Sequence, residues 1–306
     1  MTSLSRRTLL RNALAAATAC AFPAPLLACG RELTLAGNPD RERLERWTRS
    51  LREQGITDRD TPLGRCVIGA GELALGTPYE PSTLDLYLQS GGTPAHEPLT
   101  LSLTRFDCVT LVEACLALAR IAGERKPPTW ERFGREIERM RYRGGQRRGY
   151  TSRLHYFSEW ISDGEARGLA RDLGRELGGA EDRRPLRFMT QHRAKYPALA
   201  DDQVFQEIGA IERRLDASPR VVIPMKRIPQ VVSRIETGDV LAFATEIPGL
   251  DVTHSAFAYR DQDGVLRVLH APLSGGVVEI TRTTLPEYVA GIRRATGILV
   301  ARPLRG

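Results

Sequence analysis

The chain has 306 residues, 44 lysines and arginines against 37 aspartates and glutamates, and a formal net charge of +7. That surplus is too small for a nucleic-acid footprint. Hydrophobic residues make up 42% of the sequence, enough for one large domain with a sizeable core, and past residue 30 no unbroken apolar run is long enough to span a bilayer.

The front of the chain reads as an address. Ser5-Arg6-Arg7-Thr8-Leu9-Leu10-Arg11, followed by an alanine-rich stretch over 12–22, is similar to a twin-arginine export signal. Leu26-Leu27-Ala28-Cys29 resembles a lipobox, with Cys29 as the acylated first residue of the mature protein. Plain cleavage near Ala17-Thr18-Ala19 or further on is the alternative. Residues 1–29 are therefore expected to form an export signal, placing the protein in the periplasm or cell envelope, with a lipid anchor if Cys29 is acylated. Loss of Arg6, Arg7 and Arg11 takes the charge from +7 to +4.

A linker over 30–39 precedes a helix from Asp40 that carries Leu44, Trp47 and Leu51 on one face and stops at Gly55. Residues 30–59 thus form a linker and N-terminal helix, and 60–306 the main domain. A second helix runs from near Pro62 through Leu63, Val67 and Ile68 to Gly76. A third opens at Cys108, with Leu111, Val112, Cys115, Leu116 and Ala119 at helical spacing. The stretch 123–223 is rich in arginine and loops, with helices expected over 130–140, 154–163 and 200–215. The last third changes to strands over 240–243, 252–259, 265–271, 277–280 and 298–301, with a short helix over 285–289. Asp261-Gln262-Asp263-Gly264 joins the second and third strands as a turn. Helices first and antiparallel strands last predict an α+β fold, with the cysteine helix packed on the sheet.

Cysteine and histidine carry the candidate chemistry. Cys108 stands in the first turn of a helix, where free N–H groups and the helix dipole favour thiolate. Cys108 and Cys115 lie about 10 Å apart along one helix, too far for a disulfide. Cys66 and Cys115 sit in apolar patterns and read as core filler. His254 and His270 lie on strands expected to pair across the Asp261–Gly264 turn, which would bring the imidazoles near one another. Strand alternation points His254 to the face of Val252 and Ala256, a face that must meet the start of the cysteine helix. The histidines show no paired-ligand spacing and no C-x-x-C occurs, so no metal or other cofactor is expected.

Gly76-Thr77-Pro78-Tyr79, Phe106-Asp107-Cys108, Gly238-Asp239-Val240, Val252-Thr253-His254 and Leu269-His270-Ala271 occur in the order seen in the NlpC-type superfamily of papain-like cell-wall amidases and peptidases. Asp-Cys-Val-Thr at 107–110 and Arg153-Leu154-His155-Tyr156-Phe157-Ser158-Glu159-Trp160-Ile161 resemble its N-acetylmuramoyl-L-alanine amidase-like branch. The resemblance covers residues 60 to 303 and implies a papain-like fold, its nucleophile helix packed on an antiparallel sheet, with helical insertions. It implies Cys108 as nucleophile, His254 as general base and acid, and His270 as the residue orienting His254. It also places Asp107 near bound peptide, while Tyr79 would assist at the oxyanion.

The implied reaction is hydrolysis of the N-acetylmuramoyl-L-alanine amide of peptidoglycan or muropeptides through a thioacyl enzyme. Two alternatives stand beside it: an endopeptidase cutting between D-glutamate and the diamino acid of the stem, and a catalytically silent wall-binding lipoprotein. Arg153 and His155 read either as residues at the mouth of the cleft or as part of a packed helix. Arg141, Arg143, Arg147, Arg148 and Arg153 read as a solvated face or as a site for stem-peptide carboxylates. Oligomeric state is not legible.

Overall fold

A computed structural model describes residues 38–273 and 276–306. The export signal and Cys29 lie outside the described residues. Helix α1 (Pro39–Glu53) begins where the Asn38 side chain accepts from the Asp40 N–H and Pro39 fills the first helical position. Its buried Leu44, Trp47 and Leu51 join the same core as α2 (Leu63–Leu73) and α3 (Cys108–Ala122). Helix α3 is buried from Leu111 onward, so apart from its first turn it is walled in by protein. Helix α4 (Trp130–Arg141) packs against it, and α5 (Phe157–Ala166), α6 (Asp202–Leu215) and α7 (Leu285–Gly291) follow in the chain.

Eight strands form one antiparallel sheet: β1 (Ala170–Asp172), β2 (Ala180–Asp182), β3 (Arg220–Pro224), β4 (Val240–Thr245), β5 (Val252–Arg260), β6 (Leu266–His270), β7 (Glu279–Ile280) and β8 (Ala295–Pro303). The order is β2-β3-β8-β4-β5-β6-β7, with β1 also paired to β8. One sheet face packs on α1, α2 and α3 through Val240, Ala242, Phe257 and Leu269. The other packs on α7 through Leu241, Phe243, Ala256, Ala258 and Val268. β3, β4, β5, β6 and β8 contribute neighbouring residues alternately to the two cores, the period-2 signature of a sheet buried on both sides. The architecture is mixed helix and antiparallel sheet, α+β.

The arginine-rich middle holds structure that its composition conceals. β1, β2 and β3 lie in a stretch expected to be loops and helices. β1 and β2 are three residues long and charged, too short to show alternation, and only their partners β8 and β3 define them. Helix α5 begins at Phe157, three residues later than expected. Arg153 is held in an isolated bridge with Tyr142, and the Leu154 N–H donates to the Arg141 carbonyl at 2.9 Å, so this stretch is extended. β8 outruns its expected four residues because β4 flanks it on one side and β3 and β1 on the other. No described helix is long and apolar enough to cross a membrane.

Candidate active site

Cys108 is the first residue of α3, and Asp107 is its N-cap. The Asp107 Oδ1 accepts from the Thr110 N–H at 2.8 Å, and the Thr110 hydroxyl accepts from the Asp107 N–H at 2.9 Å. Such a reciprocal box stabilises a helix start by about 1 kcal/mol and fixes where the cysteine points. Thr83 adds a hydrogen bond to Asp107 Oδ2 at 3.0 Å. One Asp107 oxygen therefore serves the helix cap, and the other ties the cap to the loop at Thr83.

Tyr79 reaches this place despite the long gap before Cys108. Its N–H donates to the Gly276 carbonyl at 2.8 Å, and the Phe106 N–H donates to the Pro78 carbonyl at 3.0 Å. The Gly76–Tyr79 segment is thus laced between the β6–β7 hairpin and the residues just before the nucleophile helix. Burial, with Cys108 and Asp107 nearby, pushes the Tyr79 hydroxyl up to about 12, so it stays a donor.

The surroundings of Cys108 oppose the thiolate expected from the helix start. Burial and the Asp107 carboxylate push the Cys108 thiol up to about 11, with partial relief from the nearby Ser255 and the Val109 N–H. Desolvation outweighs the helix-end field because little water reaches the sulfur to share the charge. Cys66, Cys108 and Cys115 are all free thiols; Cys66 and Cys115 are buried in the helical core.

The two histidines meet. His254 Nε2 and His270 Nδ1 stand 2.8 Å apart, and the Tyr288 hydroxyl lies 3.2 Å from the same His270 nitrogen. The His254 ring stacks on Phe243 with centroids 5.7 Å apart, and Tyr288 sets its edge against Phe243 and His270. This aromatic enclosure depresses both imidazoles well below their ordinary range by burial, so the resting pair is neutral.

The expected facing of β5 needs correction. Its register with β4 shifts between Ala242↔Ser255 and Ala244↔Val252, so one extra residue is accommodated on β5. The bulge separates Val252, which packs with the α3 core, from Ala256, which lies in the opposite core. His254 goes with Ala256, Phe243 and Tyr288, while the next residue, Ser255, faces the Cys108 sulfur. Bulges re-aim side chains in this way beside functional sites. Among the described residues no hydrogen bond joins Cys108 to His254, and Ser255 is the strand residue between them.

Arg153 and His155 lie elsewhere. Arg153 is buried, 2.5 Å from Asp85 and 3.6 Å from Glu97, and covers the Tyr150 ring. His155 Nε2 donates to the Tyr150 carbonyl at 2.8 Å. Burial and the Arg153 charge hold His155 well below the ordinary imidazole range. Arg141 pairs with buried Glu113, and Arg143 with Glu159, at 2.7 and 2.6 Å. Arg141, Arg143 and Arg153 thus cross-link α3, α4, α5 and their loops, while Arg148 is exposed. A cavity of about 190 Å³ between α3 and α4, lined by Leu101, Thr110, Phe133 and Ile137, includes neither Cys108 nor either histidine. No group of metal-ligating side chains occurs among the described residues.

Ser255, Tyr288 and Glu279 are the members of this neighbourhood that sequence reasoning missed. Ser255 adjoins His254, but which way it faces depends on the bulge. A helix-start thiol beside a strand-borne imidazole pair, on an α+β scaffold, has the components for acyl transfer. The chain belongs to the N-acetylmuramoyl-L-alanine amidase-like family, whose model matches residues 70–298.

Solved structures agree with that placement. The chain is similar to an N-acetylmuramoyl-L-alanine amidase from Bacteroides uniformis, 29% identical, covering 79% of this chain and 99% of that one, with a TM-score of 0.72. It is also similar to a Bacteroides fragilis protein named provisionally as a xylanase, 31% identical over 76% of this chain and 99% of that one, with a TM-score of 0.69. A Legionella pneumophila protein, 18% identical over 86% and 94% of the two chains with a TM-score of 0.62, shares the fold. No curated protein sequence matches.

Proposed function

We propose that this protein is an exported cysteine hydrolase of the papain-like NlpC type that cleaves the N-acetylmuramoyl-L-alanine amide of peptidoglycan or its fragments. The observation that carries the reading is the 2.8 Å His254–His270 pair on the strand whose next residue, Ser255, faces the Cys108 thiol, in a chain of this family. With Nε2 turned to His270, His254 offers Nδ1 as the base. The Cys108 proton passes to His254 as the sulfur bonds to the amide carbonyl carbon. Coupling the two steps removes the need for a standing thiolate. Backbone N–H groups at the start of α3, with the Tyr79 hydroxyl, would hold the oxyanion. The His254 proton then goes to the departing alanine nitrogen, the C–N bond breaks, and a thioester remains. A water deprotonated by His254 releases the muramoyl carboxylate and restores the thiol. Asp107 would act chiefly by fixing the helix start. Arg153, ion-paired with Asp85 and Glu97, and His155, bonded to the Tyr150 carbonyl, would shape the surrounding loops.

The resemblance of the front to a twin-arginine signal supports a periplasmic or envelope setting, with Cys29 as the site of any lipid anchor. Product analysis by mass spectrometry on defined muropeptides tests the bond. Release of peptides with a free N-terminal L-alanine is expected. A fragment beginning at the diamino acid would show the endopeptidase instead, and xylan fragments with no muropeptide products would overturn both.

A further inference from the structure

The His254–His270 contact imposes a condition one residue further out. For His254 to present a lone pair on Nδ1, its proton must sit on Nε2 and donate to His270 Nδ1 across the 2.8 Å contact. His270 must then carry its own proton on Nε2. That nitrogen is buried and, among the described residues, has no hydrogen-bond partner. A buried N–H without an acceptor forfeits its hydration with nothing in return, which tips an imidazole to its other tautomer. The other tautomer would put protons on His270 Nδ1 and His254 Nδ1 and remove the base.

Among the described residues, one carboxylate lies within reach. Glu279 stands directly opposite His270 in the β6–β7 register, and its Oε1 is 3.7 Å from His270 Nε2. The carboxylate is about half exposed, so it can move the remaining few tenths of an ångström without loss of packing. The Tyr288 hydroxyl reaches only the other His270 nitrogen and cannot substitute for it. We propose that Glu279 is a positioning residue that completes a His254–His270–Glu279 relay by accepting the Nε2 proton of His270. The role is distinct from that of His270: Glu279 touches neither the thiol nor His254, and acts by selecting the tautomer that frees His254 Nδ1. This proposal rests on the cysteine-hydrolase reading.

Two measurements test it. Nitrogen-15 NMR of the histidines in the unmodified protein reads the tautomers without any substrate. His270 protonated on Nε2 and His254 protonated on Nε2 are expected; His270 protonated on Nδ1 overturns the relay. In turnover assays, Glu279→Ala is expected to lower kcat about tenfold with KM within about twofold, and Glu279→Gln, which keeps an acceptor oxygen, to recover most of that loss. A Glu279→Ala enzyme within twofold of the unmodified kcat, or a Glu279→Gln enzyme no better than the alanine variant, would also overturn it. If Cys108→Ala retains turnover, the hydrolase reading fails by itself, and the NMR result still judges the relay.

Discussion

Two effects compete at the Cys108 sulfur. A helix N-terminus stabilises negative charge by roughly 0.3–1 kcal/mol, and up to about 2 in partly buried settings. Burial works against it and wins, holding the thiol up at about 11. Thiolate is then roughly one part in ten thousand at pH 7, since each pH unit below the pKa costs a factor of ten. Alkylation of Cys108 by iodoacetamide, followed by peptide mapping, is expected to accelerate about tenfold per pH unit between pH 7 and 9. A plateau already reached at pH 6 would reveal a standing thiolate–imidazolium pair and contradict the neutral resting state. At this scale the sequence is informative about residue type and poor about neighbours. Cys108, His254 and His270 are legible as a helix-start thiol and two strand imidazoles. Ser255 and Glu279 are not, because one depends on a bulge and the other on hairpin register, and neither leaves a mark in spacing.

At the scale of elements, the approach of α2 to the sheet shows why glycine and aspartate recur before β4. Gly238 has φ +87°, and a Cβ there would stand 2.3 Å from the Gly64 Cα on α2. The Asp239 side chain holds Arg302 of β8 at 2.9 Å and accepts from the Glu236 N–H at 2.8 Å. The Gly238-Asp239 pair therefore fixes the entry to β4 between a helix and the central strand. Gly238→Ala combines left-handed strain with a backbone clash and should cost about 2–3 kcal/mol. Gly264→Ala, at φ +78° with open space around it, should cost about 1 kcal/mol. Urea denaturation of the two variants checks the ordering, and equal losses would show that the close approach is unimportant. The helix positions were readable from apolar periodicity and caps, and β4, β5 and β6 from apolar runs and the Asp261–Gly264 turn. The strands of the arginine-rich middle were not, because partners distant in sequence define them.

At the scale of the whole molecule, buried titratable groups set the pH response. His155, His254 and His270 are held neutral by burial, so their folded pKa values lie below the unfolded value. The stability they contribute is full above about pH 6.5 and is lost as pH falls through the folded values. Glu97, Glu113 and Asp251 are shifted upward by burial and act in the opposite sense, their contribution falling as pH rises through their folded values. Removing one histidine isolates its share. His155→Gln should flatten the dependence of unfolding free energy between pH 6 and 5 by up to about 1.4 kcal/mol per pH unit, read from denaturation curves at each pH. An unchanged slope would mean that His155 is protonated in the folded protein. The proposed chemistry rests on one sulfur atom and one bond. Acid-quenched peptide mapping of the enzyme with excess muropeptide, alongside turnover by Cys108→Ala, reads both. An N-acetylmuramoyl thioester on Cys108 in the unmodified enzyme and no turnover in the variant are expected; undiminished turnover by Cys108→Ala would rule out the cysteine mechanism.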